Sequence, residues 1–182
     1  MMKIWRILIP FLLPFLVLSC SKDGLRAEVA RYEPTWAAAY EYPLNSGEYR
    51  GVGLMLVQGR TDDDLNLSSP GVVASLVMFA PAGDGALLPA GTYDLAAGDE
   101  DPLIMMGSRD ASGNLVGSFV AERLPERGAT RFYALKQGSV TVSQEGKNFH
   151  IRASLEAEGR SFEFDYRGEV QDLGGGAYSE LY

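Results

Sequence analysis

The sequence predicts an all-β protein: one antiparallel β-sandwich or flattened β-barrel of about eight to ten strands, ending in a three-strand meander. Three observations carry this expectation. Short alternating or β-rich runs recur roughly every ten residues from position 35 onward. Gly, Asp, Asn and Pro punctuate them. No stretch of this region sustains the 3.6-residue apolar period of a helix.

In chain order, residues 25–32 fit either a helical turn or a first strand. Residues 35–42 alternate, which sets Trp36, Tyr40 and Tyr42 on one face of one strand. Residues 51–58 and 72–79 each start at or just after a glycine and run apolar almost without interruption, the pattern of strands buried on both faces. Runs at 92–96, 103–106, 115–122 and 131–135 are short and bounded by turn residues. The last three strands, 139–143, 148–156 and 161–170, allow a register test. With Glu145-Gly146 and Glu158-Gly159 centring the hairpin loops, Val142 faces Phe149 and Val140 faces Ile151, while Leu155, Ala153 and Ile151 face Phe162, Phe164 and Tyr166. One face is then apolar. On the other, Arg152 lies opposite Asp165, near Thr141, His150, Glu163 and Arg167. Glu-Gly is not the Asn-Gly of a tight turn, so a four-residue loop of the same register serves as well as a two-residue one.

The chain begins with Lys3 and Arg6, an uncharged apolar run over 7–18 interrupted by Pro10 and Pro14, and then Ser19 directly before Cys20. This is a secretory signal layout. The run is too short for a membrane span, which needs about twenty apolar residues. Its end resembles a bacterial lipobox. The resemblance implies that residues 1–19 are a removable signal peptide and that Cys20, the sole cysteine, becomes the acylated N-terminus, with membrane attachment through its acyl chains. A free or intermolecularly paired thiol is the alternative for Cys20. Residues 20–34 then form a lipidated tether and entry segment, 35–170 the β domain, and 171–182, with three glycines, a flexible tail. Ser21 occupies the position where an aspartate retains proteobacterial lipoproteins in the inner membrane, which points to the outer membrane. Ser21-Lys22-Asp23 resembles the export signals of Bacteroidetes surface lipoproteins; the periplasmic and cell-surface faces both stay open.

Leu88-Pro89-Ala90-Gly91-Thr92-Tyr93 and Gly138-Ser139-Val140-Thr141-Val142-Ser143 resemble a turn and a strand start of Bacteroidetes lipoproteins of unknown function. The likeness supports the β architecture and brings no activity with it.

The full chain has 16 basic and 24 acidic residues and a net charge of −8. Removing residues 1–19 takes away two bases and no acid, so the remainder stands at −10. That balance disfavours nucleic acid and anionic membrane surfaces, which are bound through clustered Lys and Arg. One cysteine allows no disulfide within the chain, so stability must come from burial and sheet hydrogen bonds.

Chemistry-bearing residues are sparse. His150 is the only histidine, and no nearby serine sits on a nucleophile elbow, so no catalytic residue is expected. One histidine and one lipidated cysteine serve zinc poorly. Asp62, Asp64 and Asn66 offer oxygens at alternate positions, as an EF-hand loop begins, but Leu67 stands where glycine should turn, leaving a weak calcium candidate. No cofactor is expected. Trp36, Tyr40 and Tyr42 form a core row, a platform for stacking sugars or a protein interface, core being the preferred reading. The expected function is a non-enzymatic outer-membrane lipoprotein serving as a binding or accessory module for a glycan, a peptide or an envelope protein. The alternatives are a structural or adhesion subunit, a carrier of a small lipophilic ligand in a barrel lumen and, last, a hydrolase.

Overall fold

The computed structural model describes residues 28–46, 49–62, 66–81, 85–95, 103–125 and 128–174. The signal segment with Cys20, Ser21, Lys22 and Asp23, the calcium candidate Asp64 and the tail from 175 onward lie outside these residues. In chain order the strands are β1 (Val29–Tyr32), β2 (Trp36–Ser46), β3 (Tyr49–Gln58), β4 (Gly71–Pro81), β5 (Gly91–Asp94), β6 (Ser108–Arg109) and β7 (Leu115–Val116). They continue as β8 (Phe119–Arg123), β9 (Thr130–Ala134), β10 (Gln137–Glu145), β11 (Asn148–Ala157), β12 (Arg160–Glu169) and β13 (Gln171–Asp172). Among the described residues there is no helix.

Two sheets pack face to face. One has the order β1-β12-β11-β10-β5 and the other β13-β2-β3-β4-β8-β9, with β6 and β7 forming a small separate ribbon. The sheets do not close into a barrel. A carrier lumen therefore has no structural basis here. The interior is filled instead by Val52, Leu54, Leu56, Val72, Leu76, Met78 and Val120 from the six-stranded sheet, meeting Tyr93, Val140, Val142, Ile151, Leu155, Phe162 and Phe164 from the other. Leu88 and Tyr93 of the Leu-Pro-Ala-Gly-Thr-Tyr stretch are both buried in it, and the Tyr93 hydroxyl donates to the Pro89 carbonyl at 2.8 Å to close the turn.

The two sheets differ in what their outer faces do. β11 alternates buried and exposed along most of its length, as a strand with one wet face must. β3 and β4 are buried at almost every position. Their outer side chains Met55, Val57 and Val73 join Tyr40, Leu67 and Ala121 in a second apolar cluster, against which Trp36, Tyr42, Phe119 and Leu173 pack. Tyr40 lies opposite Gly53 in the ladder, and a Cβ at Gly53 would stand 1.8 Å from the ring's Cζ. The missing side chain is the bed in which this ring rests.

Several expectations need correction. Residues 103–106 do not form a strand: Leu103 and Ile104 make isolated bridges to Asp94 and Met78. Residues 115–122 are broken into β7 and β8, because buried Ser118 turns inward and its hydroxyl accepts the Val77 N–H at 3.0 Å. The segment over 25–32 yields strand β1, which pairs in parallel with β12, and β13 pairs in parallel with β2, so the sandwich is antiparallel except along these two edges. In the meander, the β11–β12 register is the expected one, with Leu155 opposite Phe162 and Arg152 opposite Asp165. The β10–β11 register is two residues away from expectation: Val142 pairs with Ile151, Val140 with Ala153 and Gln144 with Phe149. The turn there is Gly146-Lys147, with Gly146 at φ 61°, because a mirror-type two-residue turn accepts glycine at its first central position. An even shift leaves the inward face unchanged, so Ile151, Leu155, Phe162, Phe164 and Tyr166 are buried as expected, with Phe149 half-buried beside them.

Two substitutions test these backbone arguments. Glu158 holds φ 43° at the first central position of the β11–β12 turn, a conformation that disfavours a side chain with a Cβ. Glu158→Asn is expected to raise stability by about 0.5–1 kcal/mol in denaturant melts, since asparagine tolerates that conformation. Gly53→Ala is expected to lower it by about 1–3 kcal/mol through collision with the Tyr40 ring; an unchanged midpoint would show that the ring has room to move.

Candidate functional site

Strand alternation places one set of polar side chains on the outer face of the five-stranded sheet. β10 contributes Ser139, Thr141 and Ser143, β11 His150, Arg152 and Ser154, β12 Glu163, Asp165 and Arg167, and β1 Arg31. Across these strands runs a groove of about 770 Å³, lined by Arg31, Ser139, Thr141, Arg152, Ser154, Glu163 and Asp165, with Tyr32, Ala153 and Phe164 from the same strands, Glu33 just after β1 and Gln58 at the end of β3. A second hollow of about 690 Å³ lies along the same sheet, lined by Ser143, Gln144, Asn148, Phe149, His150 and Arg167. Volumes of this size fall in the range of small-molecule sites.

The charges on this face are sorted into pairs. Arg31 Nε donates to Glu163 at 2.7 Å. Asp165 Oδ1 meets His150 Nε2 at 2.9 Å and Arg167 Nε at 3.6 Å. The expected Arg152–Asp165 contact is present in the backbone register only, because the Asp165 carboxylate turns diagonally to His150 on β11 and along its own strand to Arg167. Thr92 and Thr141 share a hydroxyl contact of 3.4 Å. Ser143 donates to the His150 backbone carbonyl at 3.3 Å, not to the imidazole. The Asp165–His150 pair thus orients a ring, and among the described residues no hydroxyl is hydrogen-bonded to that ring.

The other residues singled out from sequence lie elsewhere. Tyr40 is 1 % exposed and lies in the second apolar cluster, and Trp36 and Tyr42, half-buried, pack against it. The Trp36 indole donates to Gln171 of β13 at 3.0 Å, which ties the row to the sheet edge. Asp62 Oδ1 accepts the Asn66 N–H at 2.8 Å and the Asp62 N–H reaches the Asn66 carbonyl at 2.9 Å, so this carboxylate closes a loop. Among the described residues no group of three or more His, Cys, Asp or Glu is placed to hold a metal ion.

Sequence reasoning missed a second polar constellation, between the sheets. Glu122 of β8 is 2 % exposed. Its carboxylate receives Arg160 Nη2 at 2.9 Å, the Tyr32 hydroxyl through a short hydrogen bond, and the Tyr133 hydroxyl at 3.4 Å. Arg160 and Tyr32 come from one sheet, Glu122 and Tyr133 from the other. The Arg160 Nε is buried without a hydrogen-bond partner, and the guanidinium carbon lies 5.6 Å and 5.4 Å from the ring centroids of Tyr133 and Phe162, a cation–π arrangement. The available signal was parity: Glu122 shares the inward face of Val120, and Arg160 that of Phe162. Burial, then the hydrogen bond to Glu122 and that carboxylate's charge, push the Tyr32 hydroxyl well above the usual phenol range. Burial alone would lower Arg160, but Glu122, Tyr133 and Tyr32 together hold it above its ordinary value.

Fold and surface together define an all-β sandwich with one sheet sealed by apolar side chains on both faces and one sheet carrying a polar, grooved outer face. Compared with known proteins, the chain matches no family model, no curated protein and no solved structure.

A raised tyrosine pKa in the folded state stabilises the fold below the unfolded value of about 10, and that contribution is lost as pH climbs toward the folded value. Stability followed from pH 8 upward is therefore expected to fall beyond pH of about 10, and Tyr32→Phe should flatten the fall. Tyr166, raised by burial and by Glu169, retains part of the slope. An equally steep decline in the variant would place the alkaline sensitivity outside the Tyr32–Glu122 contact.

Proposed function

We propose that this chain is a non-enzymatic, lipid-anchored accessory protein of the bacterial outer membrane, which uses the outer face of its five-stranded sheet to bind an envelope ligand. The anchoring half of the reading is supported by the signal layout and by Cys20 after Ser19. The resemblance to Bacteroidetes lipoproteins agrees with it, and the acidic charge argues against nucleic-acid partners. The observation that carries the binding half is the groove of about 770 Å³ across β10, β11, β12 and β1, whose lining is mostly charged and hydroxylated. The aromatic row Trp36, Tyr40 and Tyr42 sits on the opposite sheet, and Tyr93, Phe162 and Phe164 of this sheet are buried in the interior, so a ligand here is held mainly by hydrogen bonds and charge.

A structural or adhesion role draws support from one feature. Phe132, on edge strand β9, is 43 % exposed and meets Phe119 edge-on at 6.1 Å between ring centroids. An edge strand with an exposed aromatic is a place where another chain can dock.

The two readings separate in one experiment. Binding is measured against a panel of envelope oligosaccharides and peptides with the native sequence, with Ser154→Trp, which fills the groove, and with Phe132→Asp. Loss of binding in Ser154→Trp alone, at an unchanged melting temperature, is the expected outcome. Loss in Phe132→Asp alone would shift the function to the β9 edge. Anchoring is checked separately: Cys20→Ala is expected to move the protein from the membrane fraction to the soluble fraction of its host.

A further inference from the structure

We propose that the groove on the five-stranded sheet takes a carboxylate-bearing saccharide, with Arg152 holding the carboxylate and the hydroxyls of Ser139, Thr141 and Ser154 facing the sugar. The inference rests on the reading of this face as the binding surface and adds the chemistry of its ligand. It follows from which charges on the face are already used. Arg31 is paired with Glu163, and Asp165 is engaged by both His150 and Arg167. Arg152 is exposed near the middle of the same sheet, between Thr141 on β10 and Asp165 on β12, and among the described residues its guanidinium has neither a hydrogen-bond nor an ion-pair partner. In a chain of net charge −8, the floor of this groove therefore presents an uncommitted cation.

Arginine recognises planar oxyanions through two parallel N–H donors, so a carboxylate is the group that fits it. The surroundings decide what carries that carboxylate. A peptide strand adds to a sheet through free backbone groups at an edge, or anchors apolar side chains in pockets. Arg152 stands on β11, which is hydrogen-bonded on both sides to β10 and β12. The outward residues around it are Ser139, Thr141, Ser154, Glu163 and Asp165; Tyr32, Ala153 and Phe164, which also line the groove, pack into the core on the inner side of the sheet. Hydroxyl donors and acceptors beside an arginine suit an acidic sugar, which offers hydroxyls along its ring and one carboxylate per acidic residue.

The test is titration calorimetry at pH 7 and low ionic strength with an oligogalacturonate, the neutral oligogalactose of the same length, and an oligoglutamate. The native sequence is expected to bind the uronate at least tenfold more tightly than either control. Arg152→Ala should weaken that binding at least tenfold with no change in melting temperature, because the side chain is exposed and unpaired. Uronate binding that is absent, or unaffected by Arg152→Ala, overturns the proposal, as does equal binding of the oligoglutamate. Ser154→Trp separates the two levels of inference. Neutral-sugar binding that is blocked by Ser154→Trp but indifferent to Arg152→Ala would keep the site and refute the carboxylate, whereas uronate binding indifferent to Ser154→Trp would remove the site itself.

Discussion

The Glu122 carboxylate sets the geometric condition under which the two sheets can stack. An ionised carboxylate brought into a protein interior loses several kcal/mol of hydration unless donors replace the water. Here the replacement comes from both layers: Arg160 and Tyr32 from one sheet, Tyr133 from its own. Apolar packing is non-directional and would allow the inner faces to settle in several relative positions. A buried carboxylate with directional partners across the gap penalises each alternative, because any slide would strand it. The aromatic surfaces of Tyr133 and Phe162 complete the enclosure by covering the guanidinium.

With the stacking settled at that end, the remaining surfaces divide unequally. The six-stranded sheet places aliphatic side chains on both faces, and its outer cluster is closed by aromatic rings that lie over small residues, as Tyr40 lies over Gly53. A surface of that kind supplies area and rigidity but few polar handles. The five-stranded sheet has the converse composition, with an apolar inner face and an outer face on which arginines, carboxylates and hydroxyls alternate. The outward-facing charges and hydroxyls of the five-stranded sheet therefore stand opposite a sheet that is largely apolar on both faces.

Much of this was legible in the sequence where the controlling physics is local. Alternation told inward from outward residues in the meander, and the unbroken apolar runs of β3 and β4 marked strands buried on both sides. The partial failure is equally local. A lone glycine beside a glutamate or a lysine does not say which central turn position it takes: Gly159 takes the second and Gly146 the first, which moved one register by two residues and left the other in place. What the sequence could not show depends on contacts between distant segments. Glu122 and Arg160 lie 38 residues apart on different sheets, and nothing in either neighbourhood names the other. The polar groove was half visible: its side chains were assigned to one face, but the diagonal turn of Asp165 that leaves Arg152 unpaired is a choice among rotamers.

The parallel edges have a consequence for how the molecule is made. β1 pairs with β12, and β13 with β2, so the first two strands to be synthesised are completed by the last two. Arg31 and its partner Glu163 are 132 positions apart. Closing so long a loop is entropically opposed and gains nothing until the far segment exists. A nascent chain can form the hairpin of β2 and β3 and extend it with β4, but it cannot complete the edges at β1 and β2 until β12 and β13 have been made. The domain is thereby kept from finishing its fold until nearly all of the described chain has been made.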